Sequence, residues 1–457
     1  MKKEELEELL LDASSTGSDF AEIYYEDTIA KVYKVADSKL DDISIDTTKG
    51  VGMRIVKDGD TYYSSSNNLN MNFLKKQAIQ LSKNLKGKND KSINLNELEK
   101  VYPNIKIEHD DFDIIKKKKL LLDLDKKIRE YSNLVTQVSL AFIENDKNFT
   151  IANSEGKYIK SKSVITRFYC QVFTEKDGVK ETNFADSAAG KGYEFLDEVD
   201  LEKIVLECTQ IAIEKLDAVN FKGGELPVII CPGFGAVIFH EACGHGLEAT
   251  SVEPKLSVFS EDLNKKVASE KVTLVDDGTL EGYWGSNLID DEGNKTERNI
   301  LIKNGILNEF LVDKINSQKM NQKANGCGRR ESYSYAPTSR MSNTYLLPGD
   351  DKVDDMIKSI DLGVFCERMS GGSVNPSTGE FNFAVASAFL IEKGKITNRI
   401  KEITLIGTSK DILKNVEMIS DDLVISAGYC GSKSGTIPVT IGQPTIKVSK
   451  ILVGGKE

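Results

Sequence analysis

The most informative stretch of the sequence runs from Leu226 to Gly246 and reads LPVIICPGFGAVIFHEACGHG. Its first residues are apolar, as is typical of a buried strand. A Pro-Gly turn follows, and the apolar residues after that turn are spaced as in a helix. The stretch therefore predicts a strand, a tight turn and a helix, and the helix carries His-Glu-x-x-x-His at positions 240–245.

The two histidines of this helix, His240 and His245, lie five positions apart. In the common zinc-protease motif the spacing is four, which puts the imidazoles about 40° apart on one helix face. A spacing of five separates them by about 140° on a regular helix. We therefore expect the helix to be distorted or to end between them, and Gly244 and Gly246 give the backbone freedom for such a distortion.

These residue types suit a metal site. Neutral imidazoles bind Zn²⁺ well, and a catalytic zinc has three protein ligands and one open position. A carboxylate beside the ion can take a proton from water, and Glu241 directly follows His240. The alternative is a pair of helix histidines that bind no metal. The chain has only three histidines, and the adjacent acidic residue makes the metal site the preferred interpretation.

The third ligand must come from outside this helix. His109 lies in a polar segment and is expected on the surface. Glu248 fits no standard zinc spacing, and Cys243 lies where the helix is expected to be distorted. Cys430 is the better candidate, because glycines surround it and a Gly-rich loop can bring a thiolate close to an ion. On spacing alone, a buried loop cysteine with no metal is an equally good interpretation.

Outward from the motif, the sequence predicts two domains and an α+β fold. Residues 1–219 alternate helical patterns with strand patterns, so we predict an N-terminal α/β domain with antiparallel strands and helices. Residues 220–457 contain mostly short β patterns and Gly-rich turns. We predict a C-terminal β-rich domain, barrel-like or sandwich-like, that carries the HExxxH helix.

Composition narrows the possible partners and the compartment. The formal charge is −11, from 60 basic and 71 acidic residues, which disfavours nucleic acid as a partner. Seven scattered cysteines with no CxxC pair indicate a reducing environment, and we expect a cytoplasmic protein. The longest apolar stretch, Leu226 to Phe239, is short and broken by Pro232 and Gly233, so no membrane contact is expected.

Several further motifs accompany the histidines. Through these motifs and the histidine pair, the chain resembles the TldD/PmbA family of Tld-type zinc metalloproteases, and more closely its TldD branch. The resemblance runs through nearly the whole chain and is densest after residue 225. It rests on the segments His240–Glu248, Val275–Gly278, Asp290–Gly293, Gly328–Tyr333, Arg340–Tyr345, Gly428–Gly431 and Ile441–Thr445.

The resemblance implies a zinc-dependent peptidase that cleaves unfolded or flexible polypeptides with metal-activated water. In that family the HExxxH histidines and the cysteine of a Gly-x-Cys-Gly motif hold the metal. Here these residues are His240, His245 and Cys430, with Glu241 as the catalytic general base. The resemblance also implies a dimer, either a homodimer or a heterodimer with a related subunit that lacks the zinc motif.

Two rival functions stay open beside the peptidase. One is a peptide-binding or scaffolding subunit whose metal is structural, and the other is a zinc hydrolase acting on a small molecule. The intact Glu241 favours catalysis, because a structural metal site has no need of a carboxylate base. Arg329 and Arg330 are candidate substrate or oxyanion contacts, although a surface or interface role is the preferred interpretation for both.

Overall fold

The computed structural model describes residues 1–83, 85, 87–88 and 92–455. In its N-terminal part, seven strands form one sheet in the order β3-β2-β1-β5-β6, and β4 and β7 both pair with β6. Neighbouring strands are antiparallel except for β4 and β6. The strands are β1 (Phe20–Ala36), β2 (Lys39–Lys57), β3 (Asp60–Ser66), β4 (Glu99–Val101), β5 (Val135–Asn153), β6 (Tyr158–Lys176) and β7 (Val179–Ala189).

Helices cover this sheet through apolar stripes. In the first helix the buried residues Leu6, Leu9, Leu10 and Ala13 follow the i, i+3, i+4, i+7 spacing of an amphipathic helix. The N-terminal helices are α1 (Lys3–Ser14), α2 (Met71–Ser82), α3 (Ile114–Tyr131) and α4 (Leu201–Lys215). Helices α1 and α2 contribute to one apolar cluster with the sheet, and α3 and α4 contribute to another.

The C-terminal part is rich in short strands with short helices between them. Its strands are β8 (Gly223–Ile230), β9 (Leu274–Asp277), β10 (Arg298–Lys303), β11 (Ile306–Leu307), β12 (Gly328–Arg329), β13 (Thr338–Ser339), β14 (Asn343–Leu346), β15 (Leu362–Val374), β16 (Glu380–Glu392), β17 (Lys395–Ile400), β18 (Ile403–Thr408), β19 (Val416–Ile419), β20 (Val424–Ser432), β21 (Gly435–Gln443) and β22 (Ile446–Gly454). Its helices are α5 (Val237–Ala242), α6 (Ala249–Val252), α7 (Lys314–Met320), α8 (Val353–Lys358) and α9 (Ser409–Asn415).

Five of these strands close into a barrel. The strands follow the order β15-β8-β22-β18-β16, and β15 also pairs with β16, which completes the ring. Buried apolar side chains from the barrel strands, including Val228, Phe383 and Leu405, belong to one large core together with Phe239 of α5. The helix that carries the motif is therefore anchored by the barrel core.

The C-terminal part contains a second sheet of six strands. Its order is β11-β10-β9-β14-β21-β20, so β20 is a terminal strand with one edge free of strand partners in the described chain. Strand β20 pairs with β21 over its whole length, from Val424 opposite Gln443 to Ser432 opposite Gly435. This hairpin positions the second element of the site.

A buried ion network joins the N-terminal sheet to the C-terminal part. Arg54 of β2 pairs with Glu22 of β1 and with Glu292, each at 2.8 Å. Arg330 pairs with the same Glu22 at 2.6 Å. The side chains of these residues are at most 1% exposed. Removing one member would leave an unpaired buried charge, so the network fixes how the two parts meet.

The predicted fold class is confirmed. The chain is α+β, with antiparallel strands and helices in the N-terminal part and a β-rich C-terminal part that contains the five-stranded barrel. The predicted domain boundary at residues 219–220 lies between α4 and β8, the first barrel strand.

Candidate metal centre

The motif helix begins at the end of a barrel strand. Strand β8 ends at Ile230, and a 3-10 turn at Gly233–Ala236 leads into α5. Gly233 has φ of 77°, a conformation that favours glycine. Helix α5 is only six residues long and ends at Ala242. Cys243 then leaves the helical region with φ −120° and ψ −57°, and a second 3-10 turn at Gly244–Leu247 carries His245.

The break in the helix falls between the two histidines, as their spacing predicts. The sequence predicts unusual backbone angles for Gly244 and Gly246, but neither adopts a positive φ. A Cβ on Gly244 would lie 2.0 Å from the sulfur of Met341, and a Cβ on Gly246 would lie 2.8 Å from the Phe259 ring. The glycines are therefore needed for close packing rather than for unusual backbone angles.

The structure brings His240, His245 and Cys430 together. One potential ligand atom from each lies within 4.8 Å of the other two, and all three residues are buried or nearly so. His245 Nε2 and Cys430 Sγ lie 3.3 Å apart. The two imidazole rings are 5.2 Å apart and nearly perpendicular. Among the described residues, no other cluster of histidine, cysteine or carboxylate side chains has this geometry.

Cys430 lies in a strand, so the predicted Gly-rich loop is wrong. It is paired with Ile437 in the β20–β21 hairpin and is 2% exposed. The glycines at positions 428 and 431 are also strand residues, because the regular pairing with β21 continues through them. The turn of the hairpin falls only after Ser432.

The electrostatics of the cluster favour a thiolate. Burial opposes ionisation of the Cys430 thiol, but the adjacent imidazoles of His240 and His245 outweigh it and lower its pKa to about 3. Burial alone would lower the pKa of His245, whereas Glu248 and Cys430 raise it well above its usual value. The thiolate is the form of cysteine that binds metals.

Two carboxylates flank His245 in different ways. Glu241 Oε2 lies 3.7 Å from His245 Nε2, and the Glu241 side chain is 21% exposed. Glu248 Oε2 lies 3.1 Å from the other ring nitrogen, Nδ1, and its side chain is 3% exposed. Glu241 is therefore partly exposed and lies beside Nε2, the ring nitrogen that also contacts Cys430, whereas Glu248 is buried beside Nδ1. The spacing of Glu248 argues against a role as a metal ligand, and it carries no signal for this contact with a ligand histidine.

The other candidates do not join the cluster. His109 is 1% exposed, so its predicted surface position is wrong; its Nδ1 lies 2.7 Å from Asp146 and its Nε2 lies 2.8 Å from Thr166. A 3-10 turn folds this polar segment onto strands β5 and β6. Cys243 is fully buried in the core, and burial raises the pKa of its thiol.

Both candidate arginines are structural. Arg330 belongs to the buried network with Glu22, and Arg329 donates to the carbonyl oxygens of Met341 and Pro438 at 2.8 Å each. Their guanidinium groups are thus committed to protein partners. A surface position is excluded for both, because they are only 4% and 2% exposed.

A cleft of about 820 Å³ lies beside β20. Its lining includes Val424 and residues 426–429 of β20, residues 184–186 of β7 and residues 367–370 of β15. The indole of Trp284 donates to the carbonyl oxygen of Gly428 at 2.9 Å and meets the Tyr429 ring edge-on. The cleft therefore borders β20 up to the residue before Cys430, and none of the four candidate site residues lines it.

The donor set fits a zinc ion. Two imidazoles and a thiolate are ligands that zinc favours, and they leave a position for water. Both ring nitrogens of His240 are buried without a hydrogen-bond partner among the described residues. Buried polar atoms are normally paired, and a metal would satisfy one of these two.

Comparison with known proteins defines the class as a metallopeptidase. The chain matches models of the PmbA/TldA metallopeptidase domain 1 over residues 21–82, of its central domain over 107–216 and of its C-terminal domain over 223–455. A metalloprotease TldD homolog from Buchnera aphidicola subsp. Schizaphis graminum is 32% identical across 98% of this chain and 95% of its own. The chain therefore belongs to the TldD/PmbA family.

Two further relatives extend this result. A protein named zinc metalloprotease TldD homolog, from Saccharolobus solfataricus, is 27% identical over 97% of this chain and 98% of its own. The crystal structure of TldE from Thermococcus kodakarensis has the same fold, with a TM-score of 0.79 over 99% of this chain and all of that one, at 21% identity. In the described residues, no helix has the length and apolar character needed to cross a membrane.

Proposed function

We propose that this chain is a zinc-dependent peptidase that cleaves unfolded or flexible polypeptides in a reducing compartment such as the cytoplasm. The observation that carries the proposal is the gathering of His240, His245 and Cys430 donor atoms within 4.8 Å, with the Glu241 carboxylate beside them. Membership of a metallopeptidase family supports the same reaction class.

His240, His245 and Cys430 hold the metal in this proposal. The unpaired nitrogens of His240 and the lowered pKa of Cys430 support their roles, because both groups are ready to donate electron pairs. When bound, zinc acts as a Lewis acid and lowers the pKa of water to roughly 7.

Glu241 is the general base. Its carboxylate is close enough to His245 to reach a water in the same site, and its partial exposure lets water enter. A carboxylate there accepts a proton from the attacking water and can return it to the leaving amine. Neither step requires Glu241 to be a metal ligand.

The substrate binds as an extended strand along the free edge of β20. Residues of β20 up to Tyr429 line the 820 Å³ cleft, and the next residue of this strand is Cys430. Pairing through the backbone gives affinity with little sequence preference. A folded protein cannot bind in this way, because its own backbone groups are already paired.

We further propose that the active form is a dimer, either with a second copy or with a related subunit. The support is the family membership and the likeness of this fold to a protein titled TldE. The rival functions are a peptide-binding subunit with a structural metal and a hydrolase of small molecules. Both predict that an unfolded polypeptide stays intact.

The test compares Glu241→Gln with wild type for zinc content and for cleavage of a reduced, alkylated polypeptide. Glutamine is nearly isosteric but accepts no proton, so zinc is retained while cleavage falls roughly 100-fold or more. Glu253→Gln, at a half-buried position that pairs with Lys319, is the matched control and keeps full activity. If Glu241→Gln cleaves at a rate within about threefold of wild type, Glu241 is not the general base, because removal of a general base lowers the rate far more.

Substrate binding has its own test. One polypeptide is offered in its folded and unfolded forms, and a short peptide substrate is N-methylated at single amides. The proposal expects cleavage of the unfolded form only and loss of cleavage at alternate amides, since a strand pairs at every second residue. Equal cleavage of both forms, or indifference to every methyl group, would replace strand pairing with side-chain recognition.

A further inference from the structure

A chain of buried contacts begins behind His245. Its Nδ1 and Glu248 Oε2 are 3.1 Å apart, and the side chain of Glu248 is 3% exposed. A carboxylate accepts hydrogen bonds and does not donate them, so Nδ1 carries the proton in this contact. The other ring nitrogen, Nε2, is then the one that faces Cys430, at 3.3 Å.

The next contact is an ion pair with Arg340. The guanidinium Nε lies 3.9 Å from Glu248 Oε1, and the Arg340 side chain is fully buried. This distance is too long for a hydrogen bond, and neither atom has a hydrogen-bond partner in the described chain. Within that same part of the protein, Glu248 is the only carboxylate within 4.0 Å of this guanidinium. Each group is therefore the charge partner that the other requires in the interior.

Arg340 then reaches the strand of the third candidate ligand. Its Nη2 donates to the carbonyl oxygen of Cys430 at 2.5 Å. Its Nη1 donates to Ser434 Oγ and to the carbonyl oxygen of Gly435, at 2.9 Å each. Cys430 is a residue of β20, Ser434 lies in the turn of the β20–β21 hairpin, and Gly435 is the first residue of β21. A lysine could not make this set of contacts, because the planar fork of arginine fixes several donors at once.

We infer that Glu248 and Arg340 are positioning residues that hold His245 and Cys430 in register for the metal, although neither touches it. The inference rests on the proposed zinc site. His245 and Cys430 are 185 residues apart in the chain and lie on separate elements. The relay His245–Glu248–Arg340–Cys430 ties those elements together from behind. Partners of this kind, one shell outside the ligands, typically affect metal affinity by 10–100-fold.

The experiment measures the zinc dissociation constant by competition with a chromophoric chelator, and the cobalt–thiolate absorption band of the Co²⁺-loaded protein. Glu248→Ala removes the acceptor, and we expect roughly 10–100-fold weaker zinc binding. Glu248→Gln keeps a neutral acceptor for Nδ1 and restores part of that loss. Arg340→Met weakens zinc binding by a similar factor and shifts the cobalt band, because Cys430 loses its brace.

The matched control is Arg330→Met. It also removes a fully buried guanidinium from an ion pair, but Arg330 contacts Glu22 rather than the cluster. It lowers stability, while zinc affinity stays within about threefold of wild type, since none of the relay contacts is lost. Circular dichroism verifies that each variant is folded, and the two Glu248 variants carry the test if Arg340→Met does not fold.

The outcomes separate the two proposals. A wild-type protein that binds no zinc contradicts the zinc site itself. Tight binding by wild type and equally tight binding by Glu248→Ala contradicts the positioning role alone. In the double variant Glu248→Ala/Arg340→Met, the relay predicts a loss well below the product of the two single losses, because both changes break the same connection. Independent losses that multiply would also overturn it.

Discussion

Gly244→Ala is the most direct test of how the motif is packed. The added Cβ would lie 2.0 Å from Met341 Sδ, 2.8 Å from Cε and 3.4 Å from Cγ. Ordinary contacts of this kind are about 3.5–4.0 Å, so the sulfur must retreat by about 1.5 Å or more. Met341 is fully buried, and it can move only by disturbing its neighbours. Overpacking of this type costs about 1–3 kcal/mol.

The assay is urea denaturation followed by the fluorescence of Trp284. Trp284 is the only tryptophan in the chain and is 2% exposed. Its indole donates a hydrogen bond to the carbonyl oxygen of Gly428, two residues before Cys430. We expect Gly244→Ala to lower the free energy of unfolding by about 1–3 kcal/mol. Zinc binding weakens as well, because residue 244 directly precedes His245 and the displaced backbone moves that imidazole.

The matched control is Gly431→Ala. Gly431 also adjoins a proposed ligand, Cys430, but its added Cβ would have only Thr436 Oγ1 within 4 Å, at 3.9 Å. Its φ is not positive, so alanine fits the backbone. We expect unchanged zinc binding, and stability that is unchanged or raised by about 0.4–1 kcal/mol.

A second change tests the cause. Met341→Ala alone creates a cavity and costs about 2–5 kcal/mol. In Gly244→Ala/Met341→Ala the clash disappears, so the double variant is less destabilised than the sum of the single ones. The reasoning is refuted if Gly244→Ala behaves like Gly431→Ala, or if the two single effects simply add.

Three further predictions concern the proposed zinc ligand Cys430, the cleft and a buried carboxyl group. By elemental analysis, Cys430→Ser should contain well under half of the zinc of wild type, because a hydroxyl is a poorer zinc ligand than a thiolate. The control Cys231→Ser should keep full zinc occupancy. Full occupancy in Cys430→Ser would remove Cys430 from the ligand set. Trp284→Phe removes the hydrogen bond to the carbonyl oxygen of Gly428, which is worth about 0.5–1.5 kcal/mol. The KM for a peptide substrate should therefore rise less than about tenfold, and the zinc content should stay unchanged. A loss of zinc would contradict this prediction. Burial, followed by the charge of Glu292, raises the pKa of Asp290 from its usual 3.8 to about 7. Between pH 3.8 and about pH 7, Asp290 is therefore protonated in the folded protein and ionised in the unfolded one. As pH rises through this range, the free energy of unfolding of the wild type falls by up to about 1.4 kcal/mol per pH unit. Asp290→Asn cannot titrate, so the stability advantage of wild type over this variant should shrink between pH 4 and pH 8 in denaturation experiments. An advantage that stays constant or widens would show that Asp290 is charged in the folded protein throughout.

The local elements were predictable because their signals lie within a few residues. The apolar run ending at Ile230 and the Pro-Gly pair after it specify a strand and a turn. The five-residue spacing of His240 and His245 required a helix break, and α5 ends at Ala242. The function of the glycines was not predictable, since the neighbours that crowd them, Met341 and Phe259, are distant in sequence.

The environment of single side chains was harder to predict. His109 sits among acidic residues that suggest exposure, yet Asp146 and Thr166 from two strands enclose it. Cys430 lies among glycines that suggest a loop, yet regular pairing with β21 makes it a strand residue. In both cases a partner remote in sequence satisfied the polar group or the backbone, and composition carries no record of such a partner.

The family and the α+β class follow from the sequence alone, because they depend on residue type, periodicity and motifs. The sequence also identified the four candidate site residues: His240, Glu241 and His245 through their spacing, and Cys430 through the family resemblance. Only the tertiary structure decided how His240, His245 and Cys430 meet and that β20 presents a free edge beside them. Only the structure linked His245 to Cys430 through Glu248 and Arg340. The physical reason is that sheet order, barrel closure and buried ion pairs join residues far apart in the chain, so their energies depend on the whole packed molecule rather than on any local pattern.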